Sequence, residues 1–195
     1  KGIFAVLKNK AKFEKVYTTL KRILLYEPTN EDALLRICFW AEINNFHEDS
    51  IELHNKIIDQ VPFNAMAWYN LGVAYQGLKL FEKAIDAYDY CLAIDDKFEY
   101  AYGNEGDAYI QLKKFNKAIE VLEMHLSIAK PEDIILEAIG YCWDKQKQYA
   151  KARDYYRKAS QLNPQDDQIF FKIGETYTKE SQWEKAIKAY SVALH

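Results

Sequence analysis

The chain has 195 residues, 49% of them hydrophobic and 28% charged, a balance that supports a buried core and argues against disorder. A net charge of -3 and a pI near 5.9 provide no basic face for a phosphate backbone, so nucleic acid is not an expected partner. Seven Gly and four Pro are few, which favours helices joined by short turns. No run of about 18 apolar residues is present to cross a membrane.

Taken in order, residues 1–30 read as a truncated unit. Its second helix, about Lys12 to Tyr26, carries Phe13, Val16, Tyr17, Leu20, Ile23 and Leu24 at helical spacing, and Pro28 closes it. Residues 31–64 form a degenerate unit with Leu34, Ile37, Cys38 and Ala41 in its first helix, then Ser50 and His54. Residues 65–98 hold Trp68, Leu71, Gly72, Tyr75, Ala84 and Tyr88, with Gly77-Leu78-Lys79 as the turn between two helices. Residues 99–132 and 133–166 are further units, and 167–195 is an incomplete last one.

These units share one pitch. Moving by 34 residues from Gly72 reaches Gly106, Gly140 and Gly174; from Ala84 it reaches Ala118, Ala152 and Ala186; from Tyr75 it reaches Tyr109, Trp143 and Tyr177. Small residues on a fixed pitch allow two helices to approach closely, while the aromatic residues fill the space beside them. The pattern W-x-x-L-G-x-x-Y…A-x-x-x-[FY], in four registered copies, resembles the tetratricopeptide repeat (TPR). The resemblance implies an all-α fold, a right-handed α-α superhelical solenoid of helix-turn-helix units, here one domain over 1–195. First helices would line its inner, concave face. The chain opens Lys1-Gly2 without a leader-like segment and stops inside a repeat, so it reads as a piece of a longer protein.

Chemistry-bearing clusters are scarce. Cys38, Cys91 and Cys142 are too scattered for a disulfide framework or a zinc site and are expected as packed small residues in a reducing, cytoplasmic setting. His47 and His54 lie seven apart, and His125 takes a helix-packing slot; none has metal-ligand spacing. The glycines are isolated, not gathered into a phosphate loop. An enzyme, a cofactor and a metal are therefore not expected. Lys83, Lys117 and Lys151 stand three residues before Asp86, Glu120 and Asp154, a spacing that predicts solvated ion pairs on the outer face.

The surface that the resemblance assigns to a partner is the groove side of the first helices. Its candidate contacts are Arg36 and Phe39, then Tyr69 and Asn70, then Tyr100, Asn104 and Asp107, then Tyr141, and last Lys172 and Glu175. Rings and amides predominate, as suits an extended peptide. Family members that clamp a terminal carboxylate place Lys and Asn where this chain has Leu35 and Phe39, Tyr69 and Val73, or Gly103 and Asp107, so that capture is not expected. Asn70 and Asn104 share one slot of successive units and resemble the start of an asparagine ladder. Removing both amides is expected to weaken partner binding with little loss of stability. The expected function is a protein-interaction scaffold or adaptor holding a protein or peptide segment. The alternatives are self-association through terminal helices, Phe4 to Leu25 and Trp183 to Leu194, and service as a targeting arm of a larger enzyme or regulator.

Overall fold

The computed structural model describes residues 2–193, with side chains from Lys12 onward. The described residues are all-α: α1 (Gly2–Tyr26), α2 (Glu31–Asn44), α3 (His47–Gln60), α4 (Ala65–Gly77), α5 (Phe81–Ile94), α6 (Glu99–Gln111), α7 (Phe115–Ile128), α8 (Asp133–Lys145), α9 (Tyr149–Leu162), α10 (Asp167–Lys179) and α11 (Trp183–Val192). From α2 onward, each first helix begins 34 residues after the previous one. α1 starts well before the expected Lys12, because Leu7, Lys8, Lys10 and Ala11 are good helix formers and no Pro precedes Pro28.

The fold comprises two compact units, Lys1–Asn104 and Glu105–His195. In the N-terminal unit α4 packs on α2, α3 and α5, and α1 packs on α2 and α3. Leu24, Leu34, Ile37, Leu53 and Ile57 lie at the centre of its core. In the C-terminal unit α8 packs on α7 and α9, and α10 packs on α9 and α11, around Leu136, Tyr156, Ile169 and Ile173.

From α4 onward, each hairpin closes where a glycine meets a ring or a branched chain. A Cβ on Gly72 would fall 2.4 Å from Tyr88, on Gly140 2.7 Å from Tyr156, and on Gly174 2.4 Å from Tyr190. Leu122 crosses Gly106 in the same way. The turn that follows is a Schellman motif repeated on the same pitch. Its left-handed residue is Asn45, Lys79, Lys113, Lys147 or Ser181, with φ of 55° to 61°. The next amide reaches back to the first helix, as in Leu80 N to Tyr75 O at 2.9 Å and Lys114 N to Tyr109 O at 2.9 Å. The expected turn glycine, Gly77, is instead the last residue of α4 and lies under the His47 ring, 2.3 Å from where its Cβ would be.

The outer lysines also depart from expectation. Lys83, Lys117, Lys151 and Lys185 sit over the rings of Tyr75, Tyr109, Trp143 and Tyr177, with ammonium-to-centroid distances of 5.6, 5.5, 4.1 and 5.7 Å. A ring face next to a flexible ammonium competes well with an exposed carboxylate, whose attraction water screens. First helices start on side-chain caps where a Pro-x-Asn turn precedes them. Asn30 Oδ1 accepts from Ala33 N and Asn64 Oδ1 from Ala67 N, both at 3.0 Å.

Two substitutions test this construction by urea unfolding. Gly72→Ala is expected to cost about 1–3 kcal/mol through overpacking against Tyr88. Lys113→Gly is expected to stabilise by roughly 0.5–1 kcal/mol, because glycine enters the left-handed region without the Cβ penalty.

Candidate functional site

The N-terminal unit carries an open groove of about 480 Å³. Leu35, Cys38, Phe39 and Glu42 enter it from α2, and Met66, Tyr69 and Asn70 from α4. Both sets follow the i, i+3, i+4 spacing that places residues on one helical face. The third wall is the turn from α5 into α6, with Asp95, Lys97, Phe98, Glu99 and Tyr100. A second stretch of about 610 Å³ shares Leu35, Met66, Asp95 and Phe98 and extends past Glu31, Asp32 and Phe63.

Tyr69 is the hub of the wall. Its ring lies 5.0 Å from Phe98, 6.0 Å from Tyr88 and 6.5 Å from Tyr100, spacings typical of favourable tilted aromatic pairs. Its hydroxyl accepts from Asn104 Nδ2 at 3.1 Å. Burial pushes the phenol above its ordinary range, so Tyr69 stays a neutral donor. Phe39 and Tyr100 remain 57% and 62% exposed, leaving large ring faces open to an incoming chain.

Behind the wall lies a polar network. Asn70 is buried; its Nδ2 donates to Leu34 O at 2.8 Å and stands 3.3 Å from His54 Nε2. His54 Nδ1 is 2.8 Å from Ser50 O. A backbone carbonyl only accepts, so Nδ1 carries the hydrogen and Nε2 accepts from Asn70. Burial lowers the His54 pKa from 6.5 to about 4, against a smaller opposing effect of the Ser50 hydrogen bond. Asn70 thereby ties α4 to α2 and α3. Its Oδ1 is buried without a hydrogen-bond partner.

The remaining candidates lie outside this groove. Arg36 is exposed and pairs with Asp32 at 2.8 Å. In the C-terminal unit, Asp107 accepts from Gln111 at 3.3 Å, and Tyr141 is edge-on to Phe115 with the Lys145 ammonium 4.9 Å from its ring. Lys172 of α10 pairs with Glu137 of α8, and Lys179 pairs with Asp144 at 2.6 Å. Glu175 is exposed.

Thus the structure gathers Phe39, Tyr69 and Tyr100 beside one groove and moves Asn70 from the expected partner-facing surface to the buried layer. Removing Asn70 is therefore expected to cost stability, contrary to the expectation for the double amide variant, since it takes away a buried hydrogen bond to the Leu34 carbonyl and leaves His54 Nε2 without its donor. Phe98, absent from the sequence candidates, completes the aromatic wall. A signal existed: Asn30, Asn64, Glu132 and Asp166 occupy the same slot, and a ring there is a departure. Among the described residues no cluster of three or more His, Cys, Asp or Glu could hold a metal. Burial pushes the thiols of Cys38, Cys91 and Cys142 up to about 12, where they are poor nucleophiles. No described helix is long and apolar enough to cross a membrane.

The family model for the tetratricopeptide repeat protein 21 C-terminal ARM domain matches residues 74–194, and a tetratricopeptide repeat model matches residues 44–97. The chain belongs to the tetratricopeptide repeat family. No curated protein matches it. Its fold is that of solved TPR structures. MamA aligns at a TM-score of 0.76 and 21% identity, over 81% of this chain and 92% of that one. MamA 41-end from Desulfovibrio magneticus RS-1 aligns at 0.71 and 17%, over 93% of each. YrrB, described as a TPR protein with an unusual peptide-binding site, aligns at 0.74 and 15%, over 90% of each.

The buried imidazole gives this TPR unit an acid-sensitive element. A base whose pKa falls on folding contributes stability that is complete above its unfolded value and declines as pH drops from 6.5 toward 4. Denaturation of the wild type is expected to show a loss on the order of 3 kcal/mol from this group across that window. The difference between wild type and His54→Leu, measured by urea unfolding at each pH, checks it.

Proposed function

We propose that this chain is a protein-interaction scaffold whose N-terminal unit holds a peptide segment along the groove between α2, α4 and the start of α6. The observation that carries the reading is the aromatic wall. Phe39, Tyr69, Phe98 and Tyr100 line one groove of the N-terminal unit, and Phe39 and Tyr100 are more than half exposed. Large, exposed, low-entropy rings around a concavity are the usual anchors of peptide recognition. They are held on helices fixed by the Asn70 network, which keeps the groove open before a partner arrives. Asn104 donates to the Tyr69 hydroxyl and holds the ring in place.

A second reading is association through α11. Ile187 is 67% exposed, whereas Ile85 and Ile119, in the same slot of earlier repeats, are 6% and 5% exposed. Trp183 extends that exposed apolar row. Phe4 and Leu194, which mark the outer limits of the expected terminal surfaces, lie outside the described side chains.

Affinity capture from the source organism's extract, with wild type beside a Phe39→Ala, Tyr100→Ala variant, separates these readings. The groove reading expects a protein retained by the wild type, lost from the variant, with helix content unchanged because both side chains are more than half exposed. Equal retention by both baits overturns it. Mass that rises with concentration in wild type and not in Trp183→Ala, Ile187→Asp supports association through α11.

A further inference from the structure

Resting on the groove reading above, we infer that the occupant is a protein segment presenting a basic side chain, Lys or Arg, next to large apolar side chains. Charge is the first reason. The two contiguous stretches of groove are lined by Glu31, Asp32, Glu42, Asp95 and Glu99 against the single cation Lys97, and only Asp32 has its charge matched, by Arg36. Among the described residues, Glu42, Asp95 and Glu99 belong to no ion pair.

Position is the second reason. Glu42 sits in the last turn of α2, and Asp95 is the C-cap of α5; neither helix has a basic residue in its last turn. A helix C-terminus carries partial negative charge and favours a cation, so an acid there is placed against the dipole. Both acids face the groove, and a basic side chain lodged there relieves the carboxylates and the helix ends together. Glu42 already acts electrostatically on the groove wall, adding to the burial that raises Cys38.

The rings supply the third. On the outer side, the protein covers Tyr75, Tyr109, Trp143 and Tyr177 with its own lysines. Among the described residues no cation lies over Phe39, Tyr69, Phe98 or Tyr100. These faces, in an open groove flanked by carboxylates, suit an ammonium or guanidinium whose stem lies along Leu35 and Met66. An acidic segment would meet uncompensated carboxylates and is rejected by the same arrangement.

The test is a random peptide display selection on the full chain, followed by affinity measurements on the selected peptides. The expected peptides are rich in Lys or Arg beside Leu, Phe or Trp. They lose binding to Phe39→Ala, Tyr100→Ala and weaken about fivefold to tenfold on Glu42→Gln, Glu99→Gln, a loss of the size expected for charge-assisted contacts. Replacing the basic residue with Gln in the peptide is expected to cost as much, and added salt to weaken the wild-type complex. Neutral or acidic peptides that still require Phe39 and Tyr100 overturn the cationic inference and leave the groove reading standing. Peptides indifferent to Phe39 and Tyr100, or no enriched peptide at all, overturn both. Circular dichroism on each variant confirms that altered binding is not altered folding.

Discussion

The close approach of two antiparallel helices, at one glycine in each hairpin from α4 onward, is the contact on which the rest depends. Gly72, Gly140 and Gly174 each lie against a tyrosine ring that leaves no room for a Cβ. With that distance set, the small residue one helical turn into the second helix, Ala84, Ala118, Ala152 or Ala186, packs fully buried. A Schellman turn then joins the helices with the same backbone hydrogen bonds each time. Hairpins of one shape can be stacked without adjustment, and burial between neighbours supplies the stability that one hairpin lacks.

Where the pattern is broken, the N-terminal unit builds its special features. Cys38 replaces the glycine and His54 the ring, and the space between α2, α3 and α4 is filled by a buried Ser50, His54 and Asn70 network. Such networks hold their geometry because each missed hydrogen bond is costly away from water. Phe98 is the second break, a ring at a slot that elsewhere takes Asn, Asp or Glu. One departure fixes how α4 sits on its neighbours, and the other lines the groove beside it with aromatic surface.

The two units use their first-helix faces differently. In the C-terminal unit, Glu137 with Lys172 and Asp144 with Lys179 join α8 to α10, so these charges serve cohesion. In the N-terminal unit the corresponding surface of α2 and α4 carries Leu35, Phe39, Met66 and Tyr69. Of the carboxylates lining its groove, Asp32 pairs with Arg36, whereas Glu42, Asp95 and Glu99 belong to no ion pair among the described residues. The same slots thus hold ion pairs between helices in one unit and an open aromatic and acidic surface in the other.

The sequence by itself determined the helix pairs, their pitch and the residues at each close approach. These depend on local spacing and on side-chain size, which repeat visibly from Gly72 to Gly174. It also pointed to Phe39, Tyr69 and Tyr100, because a helical face follows from counting residues along one helix. Other features depend on distances between helices, which no spacing along the chain records. The tertiary structure alone decided that Asn70 turns inward, since the Leu34 carbonyl and the His54 ring compete with solvent for its amide. It likewise set Lys83, Lys117 and Lys151 over rings of the preceding helix instead of beside Asp86, Glu120 and Asp154, because the turn folds those rings back within reach. Phe98 lines the groove for the same reason: a residue remote in sequence from Phe39 shares its groove only once the helices are packed.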